Sequence, residues 1–322
     1  MIGLSDKPLL LLMTDLKDHH IKELEDSLAG FELIRTIPED KRQLSRIEIV
    51  VGWTKELTEL WQQGDLISLK WIQAISAGVN SLPLDSLREH GVMLTNASGI
   101  HKDTISEHVI GLILYHARSF NQIKLNQQNN HWDQAISVQQ LEGKTAIIFG
   151  IGNIGRRLAT LLKAFGVHTI GVNTRGNKVA EVDQTVSQEE SNRYLEQADY
   201  VINILPQTDE TKGFFNSDRF KAMKKGTAFF NVGRGNAVDT EALLTALDSN
   251  QLAFAALDVF ETEPLEADSP LWQHDRIFIT PHVSGMVEHF RDALFSVVGP
   301  NAQAYGENGK PSLNMVDYEK RY

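Results

Sequence analysis

Four charged or titratable side chains stand just past apolar runs in the C-terminal half of the chain. Arg234 lies in Phe229-Phe-Asn-Val-Gly-Arg-Gly235, Asp258 and Glu263 in Leu257-Asp-Val-Phe-Glu-Thr-Glu-Pro264, and His282 in Ile279-Thr-Pro-His-Val-Ser-Gly285. Together they suit a hydride transfer to a 2-oxo acid. The carbonyl oxygen needs a proton donor, and an imidazole that titrates near neutrality supplies one. A carboxylate beside that imidazole favours its charged form and fixes the ring. A guanidinium can hold the substrate carboxylate and polarise the carbonyl as charge develops on oxygen. Each residue also has a purely structural reading: a histidine after proline serves a loop, an arginine between glycines braces a turn, and an acid before proline caps one. Their succession at strand ends is what favours chemistry.

Such residues need a sheet whose strands end along one edge, beside a cofactor. The stretch Thr145-Ala-Ile-Ile-Phe-Gly150-Ile-Gly152-Asn-Ile-Gly155 reads as a buried parallel strand running into a G-x-G-x-x-G turn. Ile154, Leu158, Leu161 and Leu162 follow at helical spacing, and Gly166 closes the helix. This is the first half of a dinucleotide-binding βαβ unit. Gly150 allows the tight turn, Gly152 lets the backbone approach a pyrophosphate, and Gly155 lets helix pack on strand. The helix start offers unpaired N–H groups and a positive dipole end to phosphates. Strands predicted at His168–Val172, Tyr200–Leu205, Thr227–Val232, Ala253–Val259 and Ile277–Thr280 extend the sheet.

Upstream, strands at Leu9–Met13, Phe31–Thr36, Ile47–Val51, Trp71–Ile75 and Val92–Thr95 alternate with helices over His20–Leu28 and around Thr58–Gln62. That alternation marks an open, mostly parallel sheet. Ligands of such sheets sit at the carboxyl ends of strands, so Gly52-Trp53-Thr54 and Ser76-Ala77-Gly78-Val79-Asn80 are pocket candidates. A turn glycine at Gly78 and a half-buried core aromatic at Trp53 explain the same residues without a ligand. The polar break Asn96–His101 marks the first domain crossing. Asp103 is expected to cap a long helix in which Ile105, Val109, Leu112, Ile113 and His116 recur. Asn121–Gln134 reads as a polar arm or linker around Trp132, an aromatic that anchors either a subunit contact or its own domain.

The end of the second strand of the βαβ unit is informative. An NAD site usually carries an acid there for the ribose 2′-hydroxyl, but this chain has Asn173-Thr174-Arg175 with Lys178 close behind. A neutral side chain removes repulsion toward a 2′-phosphate and an arginine offers it a fork, so the reading favours NADP over NAD. The chain has 322 residues, room for two domains. Lys plus Arg number 31 against 42 Asp plus Glu, a net charge of −11 that argues against nucleic-acid and anionic-membrane partners. It contains no cysteine, so disulfides, thiol catalysis and zinc–thiolate sites are excluded, and no metal site is expected. Met1–Pro8 shows no basic region leading into a signal-type apolar stretch, and Leu9–Met13 is too short to span a bilayer, so a cytoplasmic protein is expected.

At this point the sequence resembles a known family, the D-isomer-specific 2-hydroxyacid dehydrogenases. The resemblance spans nearly the whole chain. It rests on Gly150–Gly155, Leu205-Pro-Gln-Thr-Asp-Glu-Thr211, Asn231-Val-Gly-Arg-Gly235, Asp258-Val-Phe-Glu-Thr-Glu-Pro-Leu265 and Thr280-Pro-His282. It implies an α/β fold of two Rossmann-like domains with parallel sheets. The smaller, flavodoxin-like substrate domain would comprise 1–98 and 285–322, with Gly285–Gly306 as a returning helix and Asp317–Tyr322 as a tail. The dinucleotide domain would be 99–284. The resemblance implies catalytic roles for Arg234 (substrate binding and polarisation), His282 (acid/base) and Glu263 (its partner). Cofactor contacts would come from Gly150, Gly152, Asn153, Ile154, Gly155, Asn173, Thr174, Arg175, Pro206, Thr211, Val232 and Gly233, with Asp258 at the nicotinamide carboxamide. Substrate contacts would come from Trp53, Ala77, Gly78, Val79 and Arg234, the backbone at Gly78 and Val79 cradling a carboxylate. Members are commonly homodimers through the larger domain. Trp53 stands where phosphoglycerate-using members tend to place basic residues, so the chain looks more like the glyoxylate/hydroxypyruvate reductase branch. Phosphoglycerate dehydrogenase and a non-catalytic dinucleotide-sensing scaffold are the alternatives. Ala97-Ser98-Gly99-Ile100-His101 departs from the Pro-Gly-Asn-Thr-like sequence common before the long helix.

Overall fold

The computed structural model describes residues 7–319. The expectation about Met1–Asp6, and the end of the tail from Lys320 on, lie outside the described residues. The chain divides into two compact units, one of residues up to Ile100 together with Val287 onward, the other His101–Met286.

The first unit opens with β1 (Leu9–Leu12), α1 (Asp18–Ser27), β2 (Glu32–Ile34), α2 (Lys41–Leu44), β3 (Ile47–Val51), α3 (Lys55–Gln62), β4 (Trp71–Gln73), α4 (Leu84–Glu89) and β5 (Met93–Thr95). The second contains α5 (Lys102–Ala117), α6 (Phe120–Gln128), β6 (Thr145–Phe149), α7 (Asn153–Ala164), β7 (His168–Asn173), β8 (Gln184–Ser187), α8 (Asn192–Leu195) and β9 (Tyr200–Asn203). It continues through α9 (Ser217–Ala222), β10 (Thr227–Asn231), α10 (Thr240–Asp248), β11 (Leu252–Leu257) and β12 (Ile277–Ile279), after which α11 (Phe290–Asn308) belongs to the first unit.

Both sheets are parallel throughout. The first unit orders its five strands β2-β1-β3-β4-β5, the flavodoxin arrangement. Alternate residues of β1 feed opposite faces: Leu9 and Leu11 join the core beneath α3 and α4, while Leu10 and Leu12 join that of Leu24, Leu294, Val298 and Tyr305 from α1 and α11. The second unit orders its seven strands β12-β11-β10-β9-β6-β7-β8. Its central strands are apolar along their length because both faces are covered. Ile147 and Phe149 enter one core, Ala146 and Ile148 the other. Strand order reverses between β6 and β9, so the loops after these two strands flank the switch point where doubly wound sheets bind ligands.

Several elements differ from expectation. β8 has no apolar run because it is an edge strand with only Val186 buried, which hides it from hydrophobic patterning. Asp103 does not cap α5. It lies in the first turn, after the cap position at His101, and its carboxylate receives Arg157 Nε from α7 at 2.7 Å. The polar arm is partly helical: α6 takes up Phe120–Gln128 after a left-handed Ser119, and Trp132 beyond it is 87% exposed. The last helix starts at Phe290 rather than Gly285 and ends at a left-handed Gly309. Among the described residues no helix is long and apolar enough to cross a membrane.

Candidate active site

The glycine turn after β6 is shaped by contacts that only glycine permits. A Cβ at Gly155 would lie 2.4 Å from the Gly150 carbonyl oxygen, so the absence of a side chain is what lets α7 seat against the end of β6. At Gly152 the same atom would meet nothing within 4 Å. That residue is the N-cap of α7 and no side chain caps the helix there, so the helix start opens onto space a pyrophosphate can use. Asn153 and Ile154 begin the helix itself.

Across the switch point, two buried asparagines tie the loops after β9 and β10 together. Asn203 Nδ2 donates to Asn231 Oδ1 at 2.9 Å, and that oxygen also accepts the Gly233 N–H at 3.2 Å. Asn203 Oδ1 accepts the Leu205 N–H at 3.1 Å, and Asn231 Nδ2 donates to the Arg234 carbonyl at 3.2 Å. Val232 N–H donates to the Asn203 carbonyl at 3.1 Å. Neither asparagine carried a role in the sequence reading; the available signal was a polar side chain ending an otherwise apolar strand, which burial obliges to find partners. Pro206 is exposed at the start of the β9 loop, whereas Thr211 is buried and its hydroxyl donates to the Pro206 carbonyl at 2.7 Å. Thr211 therefore closes the loop from within.

Arg234 follows directly. Its Nη1 donates to the Gly233 carbonyl at 2.7 Å, and burial pulls the guanidinium pKa down while Glu263 opposes the shift. Gly235 has to be glycine, because a Cβ there would sit 1.8 Å from the Phe260 carbonyl carbon. The Phe260 backbone is thereby pressed against the Arg234 loop, and the Phe260 N–H donates to Glu263 Oε1 at 2.9 Å. Glu263 Oε2 then receives His282 Nδ1 at 2.7 Å. The His282 side chain is 54% exposed, so the ring is held at one nitrogen and open to solvent elsewhere.

The carboxylate expected at the nicotinamide carboxamide, that of Asp258, is enclosed in the turn that carries His282. Asp258 is fully buried; its Oδ1 accepts from Thr280 Oγ1 at 2.5 Å and from the Val283 N–H at 3.0 Å, and its Oδ2 accepts the Ser284 N–H at 3.1 Å. Its main-chain carbonyl accepts the His282 N–H at 2.9 Å. Thr280 entered the sequence reading only as part of the Thr280-Pro-His282 motif, with no role of its own, and His108, which contacts it, carried no signal at all.

At the end of β7, Asn173 is occupied by its own loop. Its Oδ1 accepts from the N–H groups of Arg175 at 3.2 Å and Asn177 at 3.0 Å, and its Nδ2 donates to the Asn177 carbonyl at 2.7 Å. This turn presents Thr174 and Arg175 as exposed side chains, with Asn177 and Lys178 exposed just beyond them. In the first unit, Trp53 packs partly buried after β3 with its indole N–H on Thr58 Oγ1 at 2.8 Å. The loop after β4 is pinned by Asn96 Nδ2 on the Ala77 carbonyl at 2.9 Å and Ser76 Oγ on the Gly78 carbonyl at 2.7 Å, and Val79 is buried. In the same unit His19, His20 and Asp292 place potential ligand atoms within 4.8 Å of one another, but Lys17 Nζ already pairs with that carboxylate at 2.5 Å.

Comparison with known proteins gives the family and the fold. Residues 110–284 match the family model described as D-isomer specific 2-hydroxyacid dehydrogenase, NAD binding domain. A D-isomer specific 2-hydroxyacid dehydrogenase family protein from Aeromonas salmonicida superposes with a TM-score of 0.82 at 34% identity, covering 98% of this chain and 100% of that one. The NADPH-dependent glyoxylate/hydroxypyruvate reductase of Sinorhizobium meliloti, solved with NADP and sulfate, superposes with a TM-score of 0.81 at 28% identity, covering 98% and 100%. The D-3-phosphoglycerate dehydrogenase of Bacillus subtilis is 32% identical over 275 residues, 84% of this chain and 51% of its own length. The chain spans about half the length of the curated phosphoglycerate dehydrogenases it matches.

Proposed function

The chain belongs to the D-isomer-specific 2-hydroxyacid dehydrogenases, oxidoreductases that act on CH–OH groups with NAD or NADP, and we propose that it reduces a small 2-oxo acid, glyoxylate or hydroxypyruvate, with NADPH. The observation that carries this reading is the His282–Glu263 pair at 2.7 Å, built on the loops that also fix Arg234. With Nδ1 bonded to Glu263, Nε2 is the nitrogen of His282 that gives a proton to the substrate carbonyl oxygen. Glu263, itself anchored on the Phe260 N–H, selects that arrangement and stabilises the imidazolium before the proton leaves. Arg234 binds the substrate carboxylate and polarises the carbonyl; its desolvated surroundings strengthen both interactions.

The residues present fit a dinucleotide. Open space above Gly152 at an uncapped helix start suits a pyrophosphate, and the loops at Pro206, Val232 and Gly233 lie beside it in the strand order. When bound, the reduced nicotinamide supplies the hydride that reaches the carbonyl carbon. NADPH is favoured because Asn173 adds no charge and shapes a turn that presents Thr174 and Arg175. The similarity to a reductase solved with NADP supports the same choice. Trp53, apolar and bulky at a strand end, favours a small substrate. The chain would act as a homodimer through its dinucleotide-binding unit.

The test follows the loss of reduced-nicotinamide absorbance with NADPH or NADH against glyoxylate, hydroxypyruvate, pyruvate and 3-phosphohydroxypyruvate. Fast NADPH oxidation with the small acids is the expected result. Preference for the phosphorylated acid would replace this reading with phosphoglycerate dehydrogenase, which the Bacillus subtilis relative favours. Saturable cofactor binding without turnover on any acid would make the protein a dinucleotide sensor.

A further inference from the structure

His282 sits in a backbone conformation that residues other than glycine seldom adopt. Its φ is +56°, in the left-handed region where a Cβ crowds the neighbouring carbonyl, and it follows Pro281 in an exposed turn. A turn of this kind persists only when the surroundings over-determine it. Here they do so through one residue, by its side chain and its backbone. Asp258 binds Thr280 Oγ1, the Val283 N–H and the Ser284 N–H with its carboxylate, and the His282 N–H with its carbonyl, so it clasps the turn on both sides of the histidine.

The clasp has a further member on a different element. His108 Nε2, from the middle of α5, lies 3.2 Å from Thr280 Oγ1. The threonine hydroxyl has a single proton, and it goes to the Asp258 carboxylate. Toward His108 that oxygen can therefore only accept, which requires the proton of the imidazole to be on Nε2. The result is a chain of donors, His108 Nε2–H to Thr280 Oγ–H to Asp258 Oδ1, in which each bond polarises the next. Burial lowers the His108 pKa, with Asp258 opposing, which keeps a neutral ring in this place.

We propose that His108 is a positioning residue for the reaction: through Thr280 and Asp258 it holds the left-handed turn that sets His282 against Glu263. This rests on His282 being the acid/base. His108 touches neither Glu263 nor Arg234 in this scheme, so it sets where the proton donor stands and leaves substrate binding alone. Its loss should appear in kcat while KM for the 2-oxo acid stays within about twofold, since misplacing a reacting group by an ångström costs up to roughly 100-fold in rate.

The test uses the full chain with His108→Leu, Thr280→Val and the double variant, together with His108→Gln and Thr280→Ser. The leucine and valine variants should each lower kcat by about tenfold or more, and the double variant should fall no further than the worse single one, because both break the same chain. Glutamine, which keeps an N–H donor at the reach of Nε2, and serine, which keeps the hydroxyl, should return most of the lost rate. Unchanged kcat in His108→Leu, a loss carried by KM, or losses that multiply in the double variant would each overturn the proposal. A second readout needs no turnover. Amide hydrogen exchange across Val283–Ser284 should quicken in His108→Leu and stay slow in His108→Gln; equal exchange in both variants and the parent would also overturn it. A parent chain that reduces no 2-oxo acid would defeat the proposed function, and the exchange measurement would then decide whether His108 holds the turn.

Discussion

At the residue scale, the proposed site would divide labour between groups that meet substrate and groups that hold them. His282 has one nitrogen committed to Glu263 and the rest of its ring open, which is the arrangement a proton donor needs. His282→Gln should lower kcat by about two to four orders of magnitude while NADPH affinity, measured by fluorescence titration, stays the same. Turnover within a few-fold of the parent would remove His282 from the chemistry. The cofactor choice is a second residue-scale matter. Arg175→Ala should weaken NADPH binding by about tenfold and leave NADH unchanged, because the lost partner of a 2′-phosphate is a charge-assisted fork; equal weakening of both cofactors would reassign the arginine to a general phosphate contact. Arg234, Glu263 and His282 were legible in the sequence because their types carry chemistry and each follows an apolar strand. Asn203, Asn231, Thr280 and His108 were not, because they act by satisfying one another and the backbone, and those partners are chosen only when β9, β10, β11 and α5 come together.

At the element scale, the alternation of buried strand and amphipathic helix made both sheets readable, and the glycine turn fixed which strand stands at the switch point. Patterning failed where burial did not shape the sequence. β8 is a polar edge strand, and the cap of α5 falls to His101 while Asp103 is drawn to Arg157 on α7. Helix α5 carries a further consequence. His116 near its end stacks on Phe254 with ring centroids 4.7 Å apart, and burial lowers its pKa from 6.5 to about 4. Between those two values the unfolded chain binds a proton that the folded chain refuses, so stability is full above pH 6.5 and falls as pH drops toward 4. His20 and His108 shift in the same direction and add to the slope. His116→Leu should flatten the dependence of the thermal midpoint on pH across this window, by roughly 2–4 °C for each kcal/mol of linkage removed in a unit of this size. A slope identical to the parent's, followed by circular dichroism, would show that His116 is not a source of acid lability.

At the scale of the whole molecule, a single chain leaves large apolar side chains uncovered along one segment. Helix α6 has nine residues and buries none of them, although a helix this short is marginal in water without packing against an apolar face. Phe120 and Ile123, three positions apart on α6, are 48% and 43% exposed, and Leu125 is 43% exposed. The segment beyond adds Trp132 at 87% and Val138 at 46%. Large aromatics are favoured as anchors in interface pockets, and of the two readings the sequence left for Trp132, a subunit contact or its own domain, its exposure favours the first. A second copy of the chain covering α6 and the Trp132 segment would give this helix the apolar cover that its own unit does not supply. Sedimentation equilibrium should therefore return twice the 36.1 kDa of one chain. Phe120→Glu combined with Trp132→Glu should return a single chain and reduce the helical signal of α6, since charges buried at an interface core are costly and the uncovered helix loses its support. If the double variant remains a dimer, association uses another face, and if the parent is monomeric, α6 must be held by the contacts it makes with α5 alone.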